Sequence, residues 1–307
     1  MKSQTVVEAY SNDHWGKWPD VLSDLVAKFR DRSHVISQKE KINNIFRAVL
    51  AFDYIKENFP EGGDILDMGC GIGYNACFLA REGHNVTAFD ASDIGIQRAK
   101  ALAHENGLNE NMFICGDHTY LEKIPAESVD VALAMGFIYY LNERDRDYCY
   151  KQVHRILRKK GKFLVSYKNH LFDIFSLNNT SLEFWAQMID DFSPAAKLLK
   201  SKGALEALDE KVKVPVRVWE KNSISARFKT DRGNPLTYAD TVKRYGYELE
   251  DILYPDSHLL PPALEAEVDS KKLLELKAQY CVQQARDWRG IFMCYEFLAF
   301  MHKIENS

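Results

Sequence analysis

Between residues 64 and 170, short apolar runs alternate with longer stretches whose apolar residues recur every three or four positions. Ile65-Leu66, Val86-Thr87-Ala88-Phe89, Val131-Ala132-Leu133-Ala134 and Phe163-Leu164-Val165 are too short and too continuous for helices, and read as strands buried on both faces. Tyr74 to Glu82 and Arg144 to Arg158 have helical spacing; Val153, Ile156 and Leu157 share one face of the second, and Gly161 is expected to close it. Strands and helices in alternation predict βαβ units and a parallel sheet. Upstream, Ile42, Ile45, Phe46, Val49, Leu50, Phe52 and Phe59 fall largely at helical spacing, so residues 1–60 read as a helical cap before a domain over 61–307.

After residue 170 the pattern changes. Residues 171–232 are too long for an ordinary connection and predict an α/β insertion that acts as a lid, a substrate element or a dimer element. Val212, Val214, Val216 and Val218, then Ile224, Ala226 and Phe228, alternate about Asn222-Ser223 and predict a hairpin over 211–230. Asn234-Pro235-Leu236-Thr237 is expected to start a helix running to Tyr245-Gly246. Tyr247 to Tyr254 read as a sixth strand and Ile291 to Lys303 as a seventh.

The first predicted strand ends in Asp67-Met68-Gly69-Cys70-Gly71-Ile72-Gly73 and passes straight into a helix. Glycines serve such a loop where φ is positive or where a ligand must touch backbone. The helix behind them directs its free N–H groups into the loop. Seventeen residues beyond Gly73, Asp90 ends the second strand, where an acid can take both hydroxyls of a ribose. The pair reads as a site for a nucleoside-containing cofactor. A dinucleotide loop would carry G-x-G-x-x-G, but here position 74 is tyrosine.

The run Asp67 to Gly73 resembles motif I, D-x-G-x-G-x-G, of the class I S-adenosylmethionine-dependent methyltransferases. The resemblance extends to Asp90, to Gly116-Asp117 after strand three, to Asp130 through Leu141, and to Leu157 through Ser166, covering roughly residues 45–170. It implies an α/β, Rossmann-like sheet of seven mostly parallel strands with helices on both faces, the last strand antiparallel in position six or seven. It implies S-adenosylmethionine as cofactor, held by Asp67, Gly69, Cys70, Gly71, Gly73, Asp90, Ala91, Asp117, His118 and Met135. Asp67 would order the loop and contact the amino group, Asp90 the ribose and Asp117 the adenine amine. Three shorter patches, at 169–178, 232–237 and 260–265, resemble bacterial methyltransferases found with surface-polysaccharide genes.

Methyl transfer needs alignment and exclusion of water more than elaborate catalysis, although a hydroxyl acceptor also needs a base. Candidates for that base are His170 after strand five, His258 after strand six and Tyr140 after strand four; His14, in the aromatic segment Tyr10 to Trp18, belongs to an expected lid. No metal-ligand spacing is evident, and none is expected. The chain is 46% hydrophobic and 27% charged with a net charge of −4, which argues against nucleic-acid binding. No apolar run reaches membrane-span length. The six scattered cysteines read as reduced thiols, so a cytoplasmic enzyme is expected. From Lys197 to Arg232, ten Lys or Arg face five Asp or Glu, a local +5 that suits an anionic acceptor or an ordinary solvated face. The expected acceptor is the hydroxyl of a small molecule or glycan. The alternatives are a small amine, or binding of the cofactor without transfer as a partner protein, and a homodimer stays open.

Overall fold

In a computed structural model of the chain, the described residues are 42–177, 181, 184, 230–255, 257–262 and 284–304. The expected N-terminal lid with His14, most of the insertion and its hairpin over 211–230 lie outside them.

The first helix, α1 (Ile42–Asn58), leads to β1 (Asp64–Met68) and α2 (Tyr74–Arg81). β2 (Asn85–Asp90), α3 (Asp93–Glu105), β3 (Phe113–Cys115) and β4 (Val129–Ala134) follow. Next come α4 (Glu143–Ile156), β5 (Leu157–Lys168) and α5 (Phe172–Ser176). α6 (Tyr238–Lys243), β6 (Tyr247–Leu253), α7 (Gly290–Met293) and β7 (Glu296–Lys303) complete the described elements. The strands form one seven-stranded sheet in the order β3-β2-β1-β4-β5-β7-β6. β7 is antiparallel to both neighbours, which puts the last strand at position six. The expected Rossmann-like α/β sheet is therefore present, with the chain reversing direction beside β1.

Strand alternation decides which residue faces which layer. Ile65, Ala88, Leu133, Leu164, Leu298 and Phe300 pack with α1, α2 and α3 in one apolar cluster. Leu66, Met68, Phe89, Ala132, Phe163, Val165 and Phe297 pack with α4 and α6 in the other. At the lower end, Arg158 clamps the starts of β1 and β4, bonding Asp64 Oδ2 at 2.7 Å and Asp130 Oδ2 at 2.6 Å.

Several expected boundaries move. α4 ends at Ile156 and β5 begins at once, so Gly161 does not close the helix. The tight turn instead lies inside β5: Lys160 takes φ 60°, and the pairing of β4 with β5 jumps from Val129↔Leu157 to Val131↔Lys162. β4 stops at Ala134, because Gly136 turns to φ 79° and Ile138–Tyr140 form a 3₁₀ turn. α6 starts at Tyr238 and ends at Lys243, with turns at 235–237 and 244–246 on either side. The last strand begins at Glu296; residues 291–293 belong to α7.

Burial divides two aliphatic truncations. Ile156→Ala, at a fully buried position, should lower unfolding free energy by about 2–5 kcal/mol. Leu236→Ala, whose side chain is 64% exposed, should change it by no more than about 0.5 kcal/mol. Urea unfolding of the two variants measures both, and equal losses would contradict the layer assignment.

Candidate functional site

All the loops that carry candidate residues leave the carboxyl end of the parallel strands, where open α/β sheets bind ligands. The glycine loop is shaped by what surrounds it. Gly69 sits at φ 69°, and a Cβ there would come within 2.6 Å of the Phe137 ring. Gly73 sits at φ 80°, and a Cβ would meet Phe113 at 2.5 Å and Ala99 at 2.8 Å. At these two positions the loop can offer only backbone.

Asp90 ties the loop to β2. Its Oδ2 accepts from Gly71 N at 2.9 Å and its Oδ1 from Ser92 N at 2.8 Å. Burial raises its carboxyl and these two N–H groups pull it back down. Each oxygen still has a lone pair for a further donor. Ala91 beside it is exposed. Gly116 N reaches Asp90 O at 3.0 Å, which brings the Asp117 loop alongside. Asp117 caps the following 3₁₀ turn through Thr119, and that bonding holds its carboxyl below the usual range. His118 engages Asp145 at 3.6 Å and meets the Tyr148 ring edge-on at 5.7 Å.

Asp67 has the most unusual setting. It is 1% exposed, and among the described residues neither carboxylate oxygen has a hydrogen-bond partner. Burial pushes its carboxyl up to about 7, the charge of Asp90 adds to this, and Arg47 partly opposes it. A buried carboxylate without donors is costly unless a ligand supplies them. Two features fit an S-adenosylmethionine site: an orphaned acid for an ammonium group, and a loop with bare backbone at Gly69 and Gly73. Cys70 lies beside it with a thiol raised well above its normal range by burial, so it is an inert wall. Met135, at the end of β4, is buried in the cluster on the same face.

Next to this loop lies a group that sequence reasoning missed. Arg47 on α1 pairs with Glu296 at 2.7 Å and donates to Ser166 Oγ at 3.2 Å. Ser166 Oγ accepts from Gly136 N at 2.8 Å, and Tyr139 OH donates to Glu296 at 3.1 Å. Lys168, 1% exposed, donates to Tyr295 OH and lies over the rings of Tyr139 and Tyr295 at 5.1 and 4.6 Å. The available signal was parity: Leu164, Ser166 and Lys168 share one face of β5, and Glu296, Leu298 and Phe300 share the matching face of β7.

The candidate bases divide. The Tyr140 ring packs on Tyr139 at 4.7 Å, and His258 packs on Phe172 at 5.1 Å, which in turn meets Tyr295 at 5.6 Å. Both therefore border the Lys168 group. His170 donates its backbone N–H to Gly233 O and turns its ring to Phe184 at 4.9 Å. Among the described residues, no group of three His, Cys, Asp or Glu side chains could hold a metal, and no helix is long and apolar enough to cross a membrane.

Comparison with known proteins agrees with this geometry. Residues 65–161 match the family described as "Methyltransferase domain". An S-adenosyl-L-methionine-dependent Diels-Alderase of Talaromyces variabilis is 30% identical over 108 residues, 34% of this chain and 36% of that one. An uncharacterized methyltransferase of Schizosaccharomyces pombe is 30% identical over 126 residues, 40% of this chain and 47% of that one. The chain thus spans between a third and a half of the length of these two relatives. A solved S-adenosylmethionine-dependent methyltransferase of Methanosarcina mazei superposes with TM-score 0.50 at 17% identity, covering 82% of this chain and 98% of that one, which speaks to fold alone.

A carboxyl raised in the folded state, as Asp67 is, holds a proton between its unfolded value near 3.8 and about 7. Over that window the folded state binds more protons than the unfolded one, so stability falls as pH rises and levels off above about 7. Asp67→Asn should remove this slope and make the ligand-free protein more stable at pH 8 than the parent. Thermal midpoints of both proteins at pH 5 and pH 8 measure it, and parallel pH dependences would show that Asp67 is already solvated or paired.

Proposed function

We propose, from the match of residues 65–161 to a methyltransferase domain, that this protein is a class I S-adenosylmethionine-dependent enzyme that transfers a methyl group to an acceptor hydroxyl. The acceptor would be a small molecule or a glycan, and the compartment the cytoplasm. The five described cysteines are all free, which supports a reducing environment. The observation that carries the reading is Asp67, a buried acid with two oxygens unbonded among the described residues, at the root of a loop with bare backbone at Gly69 and Gly73.

In this reading Asp67 takes the ammonium of the cofactor's amino-acid end, and Gly69, Cys70, Gly71, Gly73 and Met135 wall it. Asp90 takes the ribose hydroxyls on the lone pairs that Gly71 and Ser92 leave open. Asp117, Ala91 and His118 lie toward the adenine end. When bound, the cofactor supplies a methyl group on a sulfonium that departs as a neutral thioether, so no acid is needed for the leaving group. What the chain must add is alignment, a dry pocket and, for a hydroxyl, somewhere for the proton to go. Tyr140 and His258 border the Lys168 group and are better placed for that proton than His170, whose ring faces Phe184.

A second reading has a specific observation behind it. The Talaromyces relative is named a Diels-Alderase, and ring formation by cycloaddition moves no methyl group. A protein with this domain that binds S-adenosylmethionine as a fixed cation, without transfer, would look the same over residues 65–161. An amine acceptor differs from a hydroxyl only in needing no base.

S-adenosylhomocysteine at a hundred times its dissociation constant should stabilise the protein by about 2.7 kcal/mol and raise the thermal midpoint by about 4–8 °C, while NAD at the same concentration should not. Asp90→Asn should weaken S-adenosylhomocysteine at least about tenfold in calorimetry. A shift with NAD alone would end the cofactor reading. With labelled S-adenosylmethionine and a panel of hydroxyl and amine acceptors, release of S-adenosylhomocysteine separates transfer from binding alone.

A further inference from the structure

Lysine is almost never fully buried without a charged partner, yet Lys168 is 1% exposed. Its partner across the β5–β7 ladder is Glu296, the obvious counter-ion. That carboxylate is taken: Arg47 bonds its Oε2 at 2.7 Å and Tyr139 OH bonds its Oε1 at 3.1 Å. Lys168 Nζ turns instead to the hydroxyl of Tyr295 and to the faces of two tyrosine rings. An ammonium has three N–H donors. Tyr295 accepts one, and among the described residues no oxygen accepts the other two and no carboxylate lies within ion-pair distance. Ring faces attract a desolvated ammonium, but they do not replace the water of a buried cation. The local sum of Arg47, Glu296 and Lys168 is +1.

The location narrows what could complete this group. Lys168 and Ser166 share a face of β5, and Ser166 Oγ holds Gly136 N at the end of β4, next to the glycine loop. Tyr295 is half-buried, and around it stand Tyr139, Phe172 and His258. The surroundings are aromatic walls, one phenol and one cation with spare donors. Asp67 is the matching orphan of opposite sign on the cofactor side.

We propose that Lys168, with Tyr295, is an oxyanion-recognition point that receives a carboxylate or phosphate group of the methyl acceptor beside the cofactor pocket. This deepens the reading given under Proposed function and rests on it for the word acceptor; the anion site itself does not depend on it. The acceptor's oxygens take the two spare N–H donors while Tyr295 holds the third, and the aromatic rings cover the rest of the ligand. The charge disfavours acceptors that lack an anion, since they leave Lys168 buried and unmet.

The test uses the full chain with benzoate, its uncharged isostere benzamide, and inorganic phosphate as probes. Saturation-transfer NMR titrations are run with S-adenosylhomocysteine calorimetry on the same samples. In the parent, benzoate should bind at least about tenfold tighter than benzamide, with phosphate competing. In Lys168→Met this preference should vanish, S-adenosylhomocysteine affinity should stay the same, and the ligand-free thermal midpoint should rise. Tyr295→Phe, at a half-buried position, should reduce the preference without abolishing it, and it stands in if Lys168→Met does not fold. Equal binding of benzoate and benzamide, or a preference that survives Lys168→Met, overturns the proposal. So does loss of S-adenosylhomocysteine affinity in Lys168→Met, which would move Lys168 into the cofactor pocket. Failure of S-adenosylhomocysteine to bind the parent would defeat the methyltransferase reading alone, because the probe preference is read separately.

Discussion

A buried acid whose two oxygens have no hydrogen-bond partner among the described residues sets the terms for the upper edge of this sheet. Asp67 follows strand parity: with Ile65 it points to the layer of α1, α2 and α3, where every other inward residue of β1 is apolar. Interiors accept such a group only if it keeps its proton or gains a partner. The nearest elements are arranged so as not to satisfy it. The backbone N–H groups of Gly71 and Ser92 are taken by Asp90, and the guanidinium of Arg47 is engaged by Glu296 and Ser166. The loop is therefore held rigid by its neighbours while its acid stays unspent. That is the preorganisation a tight site needs and the stability cost such sites carry.

Arg47 joins the two halves of this edge. It reaches from α1 to Ser166 on β5 and to Glu296 on β7, and through Ser166 it fixes the turn at Gly136. A change in the seating of α1 is thereby transmitted to the turn after β4 and, through Glu296, to Tyr139. The polar partners are partly buried, so these contacts act at lower dielectric than a surface ion pair and are screened less by salt.

The βαβ half of the chain was legible because its signals are local. A continuous apolar run followed by glycines needs no partner to be recognised, and the acids Asp67, Asp90 and Asp117 end their strands at fixed offsets. The failures came where a tertiary term outweighs the local one. Leu157 through Gly161 look like a helix end, since Arg158, Lys159 and Lys160 are charged; yet the slip in the β4–β5 pairing lets those residues form a turn inside a strand. Residues 291–293 look like strand but coil into α7, where Gly290 packs so close to Tyr254 that a Cβ would lie 2.4 Å from its ring. Lys168 and Glu296 carry no such local signal, because charged residues at strand ends usually reach water. Only the pairing of β5 with β7 reveals that both face inward and that a third residue has claimed the acid.

The position of β7 has a consequence for how the molecule is made. It is translated after β6 yet lies between β5 and β6, bonded to both. Until residues 296–303 have emerged, β5 keeps an unpaired edge and β6 has no place in the sheet at all. The nascent chain therefore carries an open, apolar border through much of its synthesis, the kind of edge that templates pairing with other chains. Closure of the sheet therefore waits for β7, whose first residue is Glu296, the anchor of Arg47.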